Sequence, residues 1–257
     1  MNCSFCHGTK REKAFMTKEH FSLALERLRP YTDYLYFHLL GEPLCHPNIR
    51  EYVEKAASDG FKVALTTNGR LLDEARATLP LYKVSVSLHS FEEGDDGERE
   101  EYLRRVCHFA RLASSRGILV SLRLWNKGSD ADNTTTEEYL KREFSTPWRE
   151  GRGTSFTIGD GIYLEYANRF SWPDMGAEEE REKKFCYGMR DQIGVLVDGR
   201  VVPCCLDAEG DIALGNIFET SLDEIISSKR AVDILRGFDS RQAVEELCRR
   251  CKYADRF

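Results

Sequence analysis

The chain has 257 residues, of which 41% are hydrophobic and 31% charged, enough for one barrel-sized domain or one domain with an appendage and ordinary for a soluble globular protein. A net charge of −6 leaves no basic stripe for nucleic acid. No apolar run approaches the ~18 residues of a membrane span and the polar first residues carry no export signal, so a cytoplasmic protein without nucleic-acid or membrane partners is expected.

After an opening Cys3-Ser4-Phe5-Cys6, Thr17 caps a helix that runs through Leu28 and ends before Pro30. Residues 34–40 form a continuous apolar run, the pattern of a strand buried on both faces. A helix over 48–58 stops at Gly60, a strand follows over 61–67, and a helix over 71–78. Residues 83–88 read as strand, 98–115 as a long amphipathic helix and 118–125 as strand. A weaker helix near 137–143 precedes a strand near 162–166. Strict alternation of this kind predicts parallel strands joined by right-handed crossovers, and so many units predict an open or closed barrel. Residues 171–184 break the rhythm with Pro173, Gly176 and a charge run, and read as a solvated linker. Beyond them, 193–197 and 200–204 flank Asp198-Gly199, a two-residue hairpin signal. Ser221 and Glu224 then form a capping box that opens a helix.

Nine cysteines are many for such a chain. Exported disulfide scaffolds are shorter, whereas two Cys-x-x-Cys pairs in a reducing compartment point to metal or redox chemistry. Cys45 and Cys107 follow no ligand spacing and read as buried, inert thiols.

In a parallel β/α barrel the reactive groups gather at the C-terminal ends of the strands. Here those ends carry His38 with Gly41-Glu42-Pro43, Thr66-Thr67-Asn68-Gly69, Ser87 to Ser90, and Arg123 to Asn126. Each has an ordinary reading alone: Asn68-Gly69 is a common turn, and His38 could be a satisfied core histidine. Polar groups directly after buried strands are costly unless they meet water, one another or a ligand, so four such ends on one face favour a polar ligand pocket.

Cys3, Phe5 and Cys6 resemble the end of the Cys-x-x-x-Cys-x-aromatic-Cys loop of radical S-adenosylmethionine (SAM) enzymes. Leu40-Gly41-Glu42-Pro43 resembles the same family's Gly-Gly-Glu-Pro motif, with leucine for the first glycine. Cys186, twelve residues, Gly199, four residues and Cys204 resemble the opening half of the SPASM/twitch auxiliary-cluster pattern, which Cys248 and Cys251 would complete. The resemblance implies a partial (β/α)6 TIM-like barrel lacking its first strand over 1–170, a linker over 171–185 and a twitch/SPASM-like domain over 186–257. It further implies a SAM-binding [4Fe–4S] cluster on Cys3 and Cys6 beside Phe5. The third thiolate would lie four residues before Cys3, outside the chain, so this ligand set is incomplete and a natural start upstream of Met1 is expected. Gly41, Glu42 and Pro43 would bind the SAM amino group, since an ammonium wants three acceptors. Ser87 would contact the ribose or carboxylate, and Arg123 would pair with the carboxylate.

Cys186, Cys204, Cys248 and Cys251 would hold an auxiliary [4Fe–4S] cluster. Strand alternation sends Cys204 and Cys205 to opposite faces, and the spacing from Gly199 selects Cys204. A four-cysteine zinc knuckle fits the same residues. The implied function is a radical SAM enzyme that cleaves SAM reductively and abstracts a substrate hydrogen, the auxiliary cluster accepting an electron. Its partners would be a small-molecule or peptide substrate and a low-potential donor such as flavodoxin or ferredoxin. His89 and Trp125 line the expected pocket without an assigned role, and no catalytic residue is assigned. The alternative is a non-catalytic iron–sulfur or zinc protein, an electron carrier or binding module.

Overall fold

The computed structural model describes residues 6–91, 95–129, 132–145, 147–178 and 181–257. In chain order the regular elements are α1 (Lys18–Leu28), β1 (Tyr34–Phe37), α2 (Ile49–Ser58), β2 (Lys62–Thr67), β3 (Lys83–Ser87), α3 (Asp96–Ser114), β4 (Leu119–Lys127) and α4 (Thr134–Glu143). They continue as β5 (Arg149–Glu150), β6 (Ser155–Gly159), β7 (Ile162–Asn168), β8 (Gly194–Val195), β9 (Arg200–Val202), β10 (Gly215–Asn216), α5 (Leu222–Ile226), α6 (Lys229–Asp239) and α7 (Glu246–Arg249). They group into two compact units, one holding Thr32–Arg169 and the other His7–Tyr31 with Phe170–Phe257.

The first unit is an α/β layer around a mostly parallel sheet in the order β1-β2-β3-β4-β7-β6-β5. The ladders from β1 through β4 to β7 are parallel, and β6 and β5 add antiparallel strands at the far edge. Alternation divides the sheet into two faces. Val63, Val84, Val86, Val120, Leu122 and Leu164 are wholly buried, as are Val53 and Ala56 of α2 and Val106 and Ala110 of α3. The other face is polar: the register aligns Ser85 with Ser121, then Ser87 with Arg123 and Arg123 with Glu165.

Several sequence expectations change here. β1 ends at Phe37, and it is half-exposed instead of buried on both faces, with Tyr34 40% and Tyr36 59% exposed. It lies at the edge of the sheet, and Leu39 at φ +97° cannot continue a strand. The helix expected over 71–78 is reduced to the 3-10 turn Arg76–Thr78, whose start is fixed by Asp73 Oδ1 accepting from Arg76 N at 2.9 Å. Cys45 is exposed, while Cys107 is buried as expected, and burial pushes its thiol up to about 12.

In the second unit, Thr17 caps α1 through His20 N at 3.2 Å. That helix packs within the unit that holds the C-terminal residues, where the sequence suggested a place beside the barrel strands. Arg27 donates to Ile217 O and, at 2.8 Å, to Thr220 O, and His20 stacks on Phe218 at 4.0 Å between ring centres. A small antiparallel sheet runs in the order β10-β9-β8. Gly199 makes the β8–β9 turn at φ +87°, and a Cβ there would meet Asn216 Oδ1 at 2.2 Å, so only glycine fits. The capping box at Ser221 and Glu224 forms as expected. Residues 181–184 are not a free linker. Arg181 N donates to Arg249 O, Lys184 N to Arg241 O, and Glu182 O accepts from Ala243 N.

Candidate functional site

At the C-terminal end of β1 the chain turns through Leu39 at φ +97° and Gly41 at φ +98°. A leucine at positive φ stores strain of order 1–3 kcal/mol, which tends to mark functional loops. Leu40, where the family motif has glycine, is not among the positive-φ residues, so leucine costs no backbone strain there. Glu42 caps the 3-10 turn Pro43–Cys45. Its Oε1 accepts from Leu44 N at 3.1 Å and its Oε2 from Asn68 N at 2.8 Å, which ties the end of β1 to the end of β2. Asn68 O in turn accepts from Tyr102 Oη at 2.9 Å. Gly69 sits under that phenol at φ +81°, where a Cβ would come within 2.9 Å of Tyr102 Oη.

Further along the polar face, Ser87 and Arg123 are register partners on neighbouring strands. Arg123 Nε donates to Glu165 Oε2 at 3.4 Å, its guanidinium lies 4.6 Å from the Trp125 ring centre, and Lys83 Nζ reaches Glu165 Oε1 at 3.4 Å. Burial alone would raise the Glu165 carboxyl. The neighbouring Ser121 hydroxyl and the cations Lys83 and Arg123 outweigh it and hold the carboxyl below its ordinary range. The protein around His38 and the charge of Arg123 hold its imidazole below the ordinary histidine range, although part of the residue stays exposed. His89 is buried, its Nδ1 lying 3.1 Å from Arg123 O and 3.3 Å from Trp125 N, which fixes the backbone that carries both side chains. A cavity of about 590 Å³ opens at the same sheet end, lined among others by Asn126, Lys127, Glu137 and Tyr166. Cys6 is exposed; Cys3 and Phe5 lie outside the described residues.

The second unit gathers Cys186, Cys204, Cys248 and Cys251. Gly188 lies where a Cβ would be 3.7 Å from both Cys186 Sγ and Cys204 Cβ. Burial pushes all four thiols up, and most of them also raise one another: Cys186 and Cys205 act on Cys204, while Cys204, Cys251 and Cys186 act on Cys248. Against this, backbone amides point at the sulfurs. Gly188 N donates to Cys186 Sγ at 3.4 Å and Tyr187 N joins it; Leu206 and Asp207 serve Cys204, and Ala254 and Tyr253 serve Cys251. Such donors favour the thiolate, the form that binds metal. Among the described residues no three of His, Cys, Asp or Glu stand close enough to hold a single ion.

Aromatic side chains beside these cysteines in sequence pair with one another, with ring centres of Phe185 and Tyr187 4.9 Å apart, Tyr187 and Phe257 4.9 Å, and Phe170 and Tyr253 5.0 Å. Asp207 is buried and accepts from Asp211 N and Ile212 N, both at 2.9 Å, which shapes the loop after Cys204. Lys10 N and Arg11 Nε reach this loop at Glu209 Oε1 and Ala208 O. The aromatics were legible as neighbours of Cys186 and Cys251 in sequence, but their convergence was not.

Residues 186–252 match the iron–sulfur cluster-binding domain SPASM. The chain is similar in structure to BtrN in complex with AdoMet and 2-DOIA, with TM-score 0.61, 16% identity, and 97% of this chain and 87% of that one covered. It is similar to anSMEcpe with bound AdoMet (0.63, 16%, 98% and 82%) and to SuiB of Streptococcus suis (0.59, 15%, 98% and 70%). The same two proteins are also known with the Cp18Cys peptide and with the precursor peptide SuiA, respectively. No curated protein matches the sequence. The chain shares the fold of these solved structures, and its iron–sulfur match is confined to residues 186–252. No described helix is long and apolar enough to cross a membrane.

Proposed function

We propose that the chain is a radical SAM enzyme whose first unit is the partial barrel and whose second unit is a one-cluster twitch domain. The observation that carries this reading is the second unit's set of four half-buried thiols, three of them met by backbone amides, within the SPASM segment. Cys186, Cys204, Cys248 and Cys251 would hold the auxiliary [4Fe–4S] cluster, and Cys3 and Cys6, beside Phe5, two corners of the SAM-binding one. When bound, SAM and its cluster supply reductive cleavage and abstraction of a substrate hydrogen. The chain's own part is to seat the ligand. Glu42, held at both oxygens by backbone amides, presents its remaining lone pairs to an ammonium together with the carbonyls near Gly41 and Pro43. Arg123, braced by Glu165 and Trp125, offers its fork to a carboxylate, and Ser87 stands beside it. A peptide or small molecule is the substrate, and flavodoxin or ferredoxin the electron donor.

The test is anaerobic reconstitution with iron and sulfide, followed by reduction with dithionite in the presence of SAM. The chain is extended to carry a cysteine four residues before Cys3. Formation of 5′-deoxyadenosine by this form is the expected result. Zinc without iron in anaerobically purified protein, or no 5′-deoxyadenosine from the extended form, would overturn the reading in favour of a non-catalytic metal protein.

A further inference from the structure

One charged group beside the four thiols has no part in the function proposed above. Lys184 has a side chain only 4% exposed, a costly place for an ammonium. Its Nζ donates to Cys251 O at 2.5 Å and lies 3.4 Å from Asp255 Oδ1. Holding the segment in place does not require it, because backbone bonds from Arg181 N to Arg249 O and from Lys184 N to Arg241 O already do so. Its charge reaches both Cys186 and Cys251. Asp255 neutralises it incompletely, being 36% exposed and shared with Arg181 Nη1 at 3.8 Å. Glu245 acts on Cys248 but is itself paired in two-pronged fashion with Arg230 at 2.7 and 2.8 Å.

We propose that Lys184 is a positioning and tuning residue for the auxiliary cluster: a buried positive charge that raises the cluster's reduction potential and so suits it to accept an electron. The proposal rests on the auxiliary-cluster reading. A [4Fe–4S] core with four thiolates carries net negative charge, and one-electron reduction adds one more. A fixed cation in a low-dielectric site stabilises the reduced form more than the oxidised one, and net charge is among the main settings of cluster potential. The electron comes from the donor or the substrate radical, and no bond or proton at Lys184 changes.

The experiment uses the full chain on a Cys6→Ala background, so that only the auxiliary cluster loads. Iron and sulfide content is measured first, then the midpoint potential by titration followed by electron paramagnetic resonance. Lys184→Met should lower the ratio of reduced to oxidised cluster at a fixed potential at least tenfold, about 59 mV for a one-electron couple. Lys184→Arg should stay near the parent, and Asp255→Asn, which frees the ammonium of its counter-charge, should shift the midpoint the opposite way. A loaded Lys184→Met protein that titrates like the parent overturns the proposal and leaves the cluster reading intact. Should Lys184→Met fail to load, Asp255→Asn decides: a raised midpoint supports the proposal and an unchanged one overturns it. A parent protein that binds no cluster overturns the cluster reading itself.

Discussion

The first unit buries Val84, Val86, Val120, Leu122 and Leu164 completely along parallel ladders, whereas the second has three antiparallel strands of two or three residues each. The first draws its stability from apolar area and from helices laid on one face of the sheet. The second relies on local devices: the Thr17, Ser221 and Ser228 caps, the Gly199 turn, and Asp207 holding its loop. It also holds four half-buried thiols, three of which are aimed at by amides. Small domains with thin cores are commonly stapled by metal, and the binding energy is then folding energy. On the proposed reading, the polar strand-end site stands on a scaffold independent of its ligand, while the thiol site draws on its cluster for stability.

The sharpest way to break this comparison is to remove one thiolate. Cys204→Ala should abolish the visible cluster absorbance after anaerobic reconstitution and lower hydrogen-exchange protection across the second unit, leaving β2, β3 and β4 protected. Cys205→Ala should keep most of the absorbance. Equal loss in both variants would contradict the choice of Cys204. Next in size, Leu122→Ala in the first unit should cost about 2–5 kcal/mol, the usual price of a core truncation, read as earlier urea unfolding by tryptophan fluorescence. Iron loading of the native protein should be unchanged, and a joint loss of iron would show that the two units do not stand apart.

A smaller effect belongs to the strand-end site. Glu42→Ala should weaken SAM binding by about 1.5–3 kcal/mol, the worth of a charge-assisted hydrogen bond, measured by equilibrium dialysis on the extended chain. The auxiliary cluster should be untouched. Because Glu42 also accepts from Leu44 N and Asn68 N, the variant loosens two strand ends at once. Undiminished SAM affinity would show that the carboxylate serves the loops alone.

What the sequence disclosed, and what it hid, follows the same division. Period-2 apolar runs placed β2, β3, β4 and β7 to within a residue or two, and Thr17, Ser221 and Asp198-Gly199 announced their caps and turn because those signals act over a few residues. The β5–β6 pair escaped because Arg149-Glu150 and 155–159 carry little apolar alternation and are held by β7 instead. Residues 71–78 looked helical, but Pro80 and the Asp73 bond to Arg76 leave one turn. Lys184 closes a charge run whose composition reads as solvated, and only the pairing of 181–184 with 241–249 buries it. At the thiol site the cysteine spacing was visible, but the amides pointing at three of the sulfurs depend on φ and ψ that no residue name encodes.

Strain at Leu39 offers a gentler test of the first unit. At φ +97° leucine is held against its preference at about 1–3 kcal/mol, and glycine would remove that while adding about 0.5–1 kcal/mol of unfolded-state entropy. Leu39→Gly should therefore stabilise the first unit by about 1 kcal/mol, seen as a raised urea midpoint. Loss of stability would mean that the leucine side chain contributes more packing than the backbone gives back.

The smallest expected effect is electrostatic and tests whether the polar face contributes to stability at all. Glu165 titrates below its ordinary range: burial raises it, but Ser121, Lys83 and Arg123 lower it further. A carboxyl with a depressed folded pKa adds stability above its unfolded pKa of about 4.3, and that stability is lost as pH falls through the folded pKa. Glu165→Gln should accordingly be less stable than the parent at pH 7, by no more than about 1 kcal/mol for so open an ion pair. The gap should close only as pH falls below the ordinary carboxylate range and through the depressed folded pKa, where the parent's carboxyl is protonated as well. Urea midpoints of the two proteins across that range provide the measurement. A gap that stayed constant with pH would assign the loss to packing, and the ion pairs around Arg123 would then serve to orient its guanidinium without stabilising the sheet.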